Sequence, residues 1–152
     1  MSPTAPQPDY QARSGNDEQE QALTSPRTLP LRTEQPPDDA AVVLRAGLMS
    51  AANVHRAAHR TFDLYGLYGI SVEGVIDMSV HDAARTSERI ARYRQIRLST
   101  FGRTRSAGFA LLATFDYPHF TLVLPDLSEL TLTRLDRCFD PPIPTPGRDQ
   151  TR

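Results

Sequence analysis

The residues whose types and spacing could do chemistry cluster between positions 85 and 105. That window holds Arg85, Arg89, Arg92, Arg94, Arg97, Arg103 and Arg105 against one acid, Glu88, a surplus of +6. Guanidinium forks meet carboxylate and phosphate bidentately, so this density suits an anionic ligand or an acidic protein surface. Arg85, Arg89 and Arg92 stand at i, i+4 and i+7, which places them on one face of a helix opposite its apolar stripe. Downstream, Ser99-Thr100-Phe101-Gly102-Arg103-Thr104-Arg105-Ser106 adds hydroxyls, a glycine and a helix start, a setting that also favours an anion. The competing reading is a solvated helix face in a chain whose 17 basic residues are all arginine. A Walker loop is absent, since the GxxxxGK[ST] spacing does not occur and there is no lysine. Nucleic acid has little support: only Tyr93 and Phe101 offer rings for base stacking in this window.

Other reactive types are sparse. His55 and His59 lie one helical turn apart, the spacing of HExxH zinc proteases, but Arg56 stands where the glutamate is required. A third ligand would have to be His81, His119 or an acid. We read the pair as helix-surface histidines and expect no metal. Cys138 falls between Leu135 and Phe139 on an inward helix face and reads as a buried structural thiol. No GxSxG elbow occurs. The acids Asp77, Asp82, Glu88, Asp116 and Asp126 are scattered, several where caps or turns want them.

Two short runs, Leu44-Arg45-Ala46-Gly47 and Gly69-Ile70-Ser71-Val72, resemble the arginine and serine of small ADP-ribosyltransferase-like toxins in order and spacing. The resemblance implies that Arg45 and Ser71 hold the phosphate and ribose of NAD. Many such enzymes also need a late glutamate. Glu73 comes too early for that pattern, and Glu129 is already explained as part of a capping box.

The elements that must position these residues occupy 40–140. The chain has 152 residues, a formal charge of −1 and 13 prolines, seven of them in residues 1–39. That segment has few large apolar residues and more acid than base, so it reads as a disordered acidic arm. Pro141-Pro142-Ile143-Pro144 reads as the stop before a second disordered tail, 141–152. With neither an apolar leader nor an apolar run near 18 residues, the expectation is a cytoplasmic protein without a membrane span.

Within 40–140, Ala41-Val42-Val43-Leu44-Arg45 predicts a strand. Ser50 predicts the cap of a helix over 51–64, closed by Gly66. Residues 67–76 predict a strand bent at Gly74, and Ser79 caps a second helix over 80–93. Ile96 and Leu98 alternate as a third strand. A short helix follows to Ala107, with Gly108 as its left-handed cap. Residues 109–115 and 120–124 form a hairpin, and Asp126 with Glu129 boxes the start of the last helix. The order β-α-β-α-β-(α)-β-β-α implies an α/β fold on the α+β border. It predicts a two-layer sandwich with a mixed sheet of about five strands and three to four helices.

These readings predict a non-catalytic binding or regulatory module. Its arginine surface would meet an acidic protein or a phosphate-bearing ligand, with no cofactor. The alternative is an NAD-using transferase. Its two residues must share a cleft, whereas the module needs only an exposed arginine face.

Overall fold

A computed structural model of the chain describes residues 26–147. Strand β1 (Ala41–Arg45) leads through a single 3-10 turn into α1 (Ala51–Tyr65) and then β2 (Gly69–Val75). Two short helices, α2 (Val80–Thr86) and α3 (Glu88–Ala91), precede β3 (Gln95–Thr100) and α4 (Phe101–Ser106). The hairpin β4 (Ala110–Ala113) and β5 (His119–Val123), helix α5 (Glu129–Arg137) and β6 (Ile143–Pro144) complete the chain. Among the described residues one six-stranded sheet forms, in the order β4-β5-β2-β1-β3-β6.

The α/β class and layered architecture expected from the sequence are present, with one strand more. The sheet is not mixed, however: each of its strand pairs is antiparallel. A period-2 pattern tells which face a residue takes, and the alternation of strands with helices tells the layers. Neither carries strand direction.

Alternation along the strands splits the core in two. Val42, Leu44, Ile70, Val72, Phe120 and Leu122 point to one face, where Val54 and Ala58 of α1, Phe101 of α4 and Leu135 of α5 cover them. Val43, Val75 and Ile96 point the other way, beneath Ala83, Ala84 and Ile90 of α2 and α3. These two short helices cover only part of the second face. Its remainder, on β2 and β5, is polar: Ser71, Glu73, His119 and Thr121.

Several local expectations are corrected. The helix predicted over 80–93 breaks at Ser87, whose φ of −115° and ψ of 117° are extended. Thr86 Oγ1 donates back to Asp82 O (3.1 Å), the kind of side-chain bond that competes with helical continuation. Arg85 therefore sits on α2 while Arg89 and Arg92 belong to α3 and its C-cap, and the three do not share one helix face. Gly74 lies inside a continuous strand rather than at a bend. A Cβ there would meet the Phe120 ring at 2.6 Å and Phe101 at 2.7 Å, so the position is small because two buried rings close over it. Gly74→Ala is expected to cost about 1–3 kcal/mol by overpacking, read by urea denaturation. The last helix is capped by Ser128, which accepts from the Thr131 amide (3.2 Å). Asp126 instead accepts from Ser128 N (2.9 Å) and Thr131 Oγ1 (2.6 Å), so the Asp126–Glu129 box does not form.

The flanks also carry structure. Leu31 bridges to Thr114 beside β4, and Arg32 donates from its backbone to Ala113 O (2.8 Å). Arg32 also donates from Nη1 to the carbonyls of Phe115 (3.1 Å) and His119 (2.9 Å). Within the expected arm, Leu31 and Arg32 thus lie against the sheet, Arg27 N–H bonds Leu64 O of α1, and Asp38 O accepts from Gly102 N–H of α4. On the other side, the Pro-rich run supplies β6, and Thr145 donates from its backbone to Arg94 O (3.1 Å). Residues 1–25 and 148–152 of the expected arm and tail fall outside the described residues.

Candidate functional site

The polar part of the second sheet face is built by β2 and β5. In their register Glu73 faces His119 and Ser71 faces Thr121. Arg45, two residues beyond Val43 on β1, has the same parity and so the same face. The β1–β2 register that pairs Val43 with Glu73 carries Arg45 toward Ser71.

Glu73 is only 2% exposed. Burial pushes its carboxyl up from the ordinary 4.5 to about 7. A hydrogen bond from the Tyr93 hydroxyl and the charges of Arg89, Arg92 and Arg45 pull the other way without cancelling that penalty. Tyr93 Oη donates to Glu73 Oε1 at 3.3 Å, and the Arg92 guanidinium lies over the Tyr93 ring, 5.6 Å from its centroid. Beside Glu73, the buried His119 ring is held at both nitrogens. Nδ1 meets Thr114 Oγ1 at 2.8 Å and Nε2 meets Ser71 Oγ at 3.0 Å, while Thr114 Oγ1 meets Thr121 Oγ1 at 2.9 Å. Burial holds the imidazole below its usual range, and the Arg89 charge adds to that, so His119 is kept neutral. A neutral ring gives one nitrogen to donate and one to accept, which suits a chain of hydroxyls.

Next to this cluster a cavity of about 390 Å³ opens between the α2–α3 junction and the turn before β5. Val75, Met78 and Pro118 give it apolar walls, Tyr117 a ring, and Ser87 and Arg89 polar atoms. The break at Ser87 is what turns Arg89 toward this opening. Tyr117 is pinned, since its hydroxyl accepts from Ile76 N–H at 3.0 Å.

The structure divides the arginine window in two. Arg97 is buried and donates to Asp140 O (2.7 Å), Asp136 Oδ1 (2.6 Å), Asp136 O (3.0 Å) and Phe139 O (2.9 Å). Arg103 pairs with Asp140 and Arg105 with Asp38, each at 2.9 Å. Arg97 ties the end of α5 to β3, and Arg103 and Arg105 tie Asp140 and the N-terminal segment to α4. Arg85, Arg89, Arg92 and Arg94 form no ion pair among the described residues. Arg85, Arg92 and Arg94 are exposed and Arg89 is half-buried.

The remaining candidates are dispersed. His55 and His59 stack with ring centroids 6.1 Å apart, and no metal-holding group of three ligand side chains exists among the described residues. Cys138 is buried, and its Sγ donates to Leu135 O at 3.3 Å. Burial raises that thiol to about 11, which leaves no thiolate for nucleophilic work. Glu129 lies on α5, over the opposite sheet face from Arg45 and Ser71; the acid on their own face is Glu73. Sequence reasoning missed Glu73, Tyr93 and His119 as a unit. The available signal was parity, because an acid two residues after Ser71 in a strand shares its face. Scanned against protein-family models, curated proteins and solved structures, the chain matches none.

Proposed function

We propose that this protein is a non-catalytic binding module that receives an acidic protein surface or a phosphate-bearing ligand on Arg85, Arg89, Arg92 and Arg94. Arg45 extends the same field across the sheet. The observation that carries this reading is the division of labour within the window: Arg97, Arg103 and Arg105 are consumed by the fold, while the other four form no ion pair among the described residues. Desolvating a guanidinium costs free energy unless a carboxylate or phosphate meets it, so Arg89, half-buried at the cavity and without an ion pair among the described residues, favours an anionic ligand there. Single exposed pairs contribute only about 0–1 kcal/mol, so the ligand must engage several arginines at once.

A labelled polyglutamate peptide tests the reading by fluorescence anisotropy. Affinity is expected to fall at least tenfold between about 50 and about 300 mM salt, either side of the roughly 10 Å screening length near 0.1 M. The variant with Arg85, Arg89 and Arg92 changed to glutamine should keep its circular dichroism spectrum and lose binding. Equal binding by that variant at both salts would reduce the row to a solvated face.

The second reading, an NAD-using transferase, is favoured by one specific arrangement: Arg45, Ser71 and Glu73 share a sheet face. Calorimetric titration with NAD separates the two. Heat that disappears in Arg45→Ala would transfer the assignment to the transferase.

A further inference from the structure

We infer that the cavity at the α2–α3 junction binds a small monocarboxylate with an apolar body, its carboxylate on Arg89 and its body between Met78 and Tyr117. The inference rests on the anion-binding reading above and narrows it to one site and one ligand class. Four observations carry it. The cavity, at about 390 Å³, sits in the lower part of the range of small-ligand sites, roughly 300–1,000 Å³, which suits a ring and a head group rather than a dinucleotide. Two of its walls are large apolar side chains left in water, Met78 at 45% and Tyr117 at 40% exposure. Burying such surface is the main favourable term available to a small ligand. Tyr117 is also fixed in place by its bond to the Ile76 amide, so little side-chain entropy is lost on contact. Finally, Arg89 is half-buried, forms no ion pair among the described residues, and lines the same cavity as these apolar walls.

The sign and number of charges follow from the rim. Glu88 also lines the opening, one residue from Arg89. Its carboxylate opposes a second negative charge on the ligand, so one guanidinium and one nearby acid favour a singly charged head over a phosphate dianion. The buried Glu73 carboxyl, close enough to Arg89 to feel its charge, acts in the same direction.

Phenylacetate, acetate, benzyl alcohol and phenylphosphate are the probes, titrated against the full chain and followed by amide NMR shifts. Phenylacetate is expected to saturate with shifts concentrated at Val75, Ser87, Arg89 and Tyr117. It should bind at least tenfold more tightly than acetate, which lacks the body, or benzyl alcohol, which lacks the charge. Phenylphosphate should bind more weakly than phenylacetate near pH 8. Arg89→Gln should weaken phenylacetate at least tenfold, whereas Arg137→Gln, exposed at the end of α5, should leave it unchanged. The wild-type shift map needs no variant and decides the site even if Arg89→Gln disturbs the fold. Shifts scattered elsewhere, no saturation, or equal affinity in Arg89→Gln would overturn the inference. If phenylacetate fails while polyglutamate still binds through the arginines, only the cavity assignment falls; if both fail, the binding-module reading falls with it.

Discussion

Glu73→Gln is expected to stabilise the protein by on the order of 3 kcal/mol at pH 8 and by almost nothing below pH 4.5. The folded carboxyl titrates near 7, against an ordinary value of 4.5. For an acid with a raised folded value, the native chain still holds its proton where the unfolded chain has released it. The stability is therefore complete below the unfolded value, declines as pH rises through the window, and has been lost once pH passes the folded value near 7. The interval of 2.5 pH units, at about 1.4 kcal/mol each, sets the magnitude. The groups facing the carboxyl are the Tyr93 hydroxyl, the guanidiniums of Arg45, Arg89 and Arg92, and His119 across the strand pair. His119 works in the opposite sense: its lowered folded value contributes stability above 6.5 that is lost as pH falls. The readout is therefore the difference between wild type and variant in urea denaturation across pH 4.5 to 8. Glutamine keeps an acceptor for Tyr93 and cannot ionise, so its curve should part from wild type as pH rises. Parallel curves would show that Glu73 ionises freely in the folded chain.

Arg97→Met carries the largest expected loss, about 3–5 kcal/mol, the scale for breaking a buried charged network by removing one partner. Three of the four oxygens it meets are carbonyls at or past the end of α5, where intrahelical donors run out; Asp136 O also has a long bond from Phe139 N–H (3.4 Å). One planar guanidinium serves them all and also holds Asp136. Arg97→Lys should recover little, because an ammonium cannot reproduce the fork. Arg94→Gln, on an exposed arginine in the same window, should change stability by no more than about 0.5 kcal/mol. Chemical denaturation of the three variants gives the comparison. A small loss in Arg97→Met would mean that water replaces the guanidinium at those carbonyls.

These two variants also mark where the sequence was legible and where it was not. Residues 41–45 and the helix from Ser50 to Gly66 were readable because cap chemistry and apolar spacing agree, and the structure places both within a residue of the expectation. The left-handed Gly108 was readable for the same reason: its φ of +97° is one that glycine adopts freely. The break at Ser87 was not readable, because Val80, Ala83, Ala84 and Ile90 keep helical spacing across it. Periodicity registers which side is apolar and not whether the axis is continuous. Within the arginine window, spacing and charge could not separate Arg97, buried against α5, from Arg94, three residues earlier and exposed. Only the pairing of β1 with β3, which sets Arg97 beside Leu44 on the α5 side, decides that. Glu73 and His119 are 46 positions apart, and no local pattern announces a contact made by strand register.

The proline-bearing flanks have a bearing on colloidal behaviour. A sheet edge is a row of unpaired amides and carbonyls on which another chain can add a strand, and natural proteins blunt such edges with short strands and proline. Here β4 is bordered by Pro30-Leu31-Arg32 and β3 by Ile143-Pro144. Each border is only a few residues long, and neither proline has an N–H to offer a further strand. These two pieces of the expected arm and tail thus act as selvages, finishing the sheet on both sides. A fragment trimmed to 40–140 would keep its core and expose two longer, unhemmed strands, exchanging a self-limiting sheet for one open to edge-to-edge aggregation.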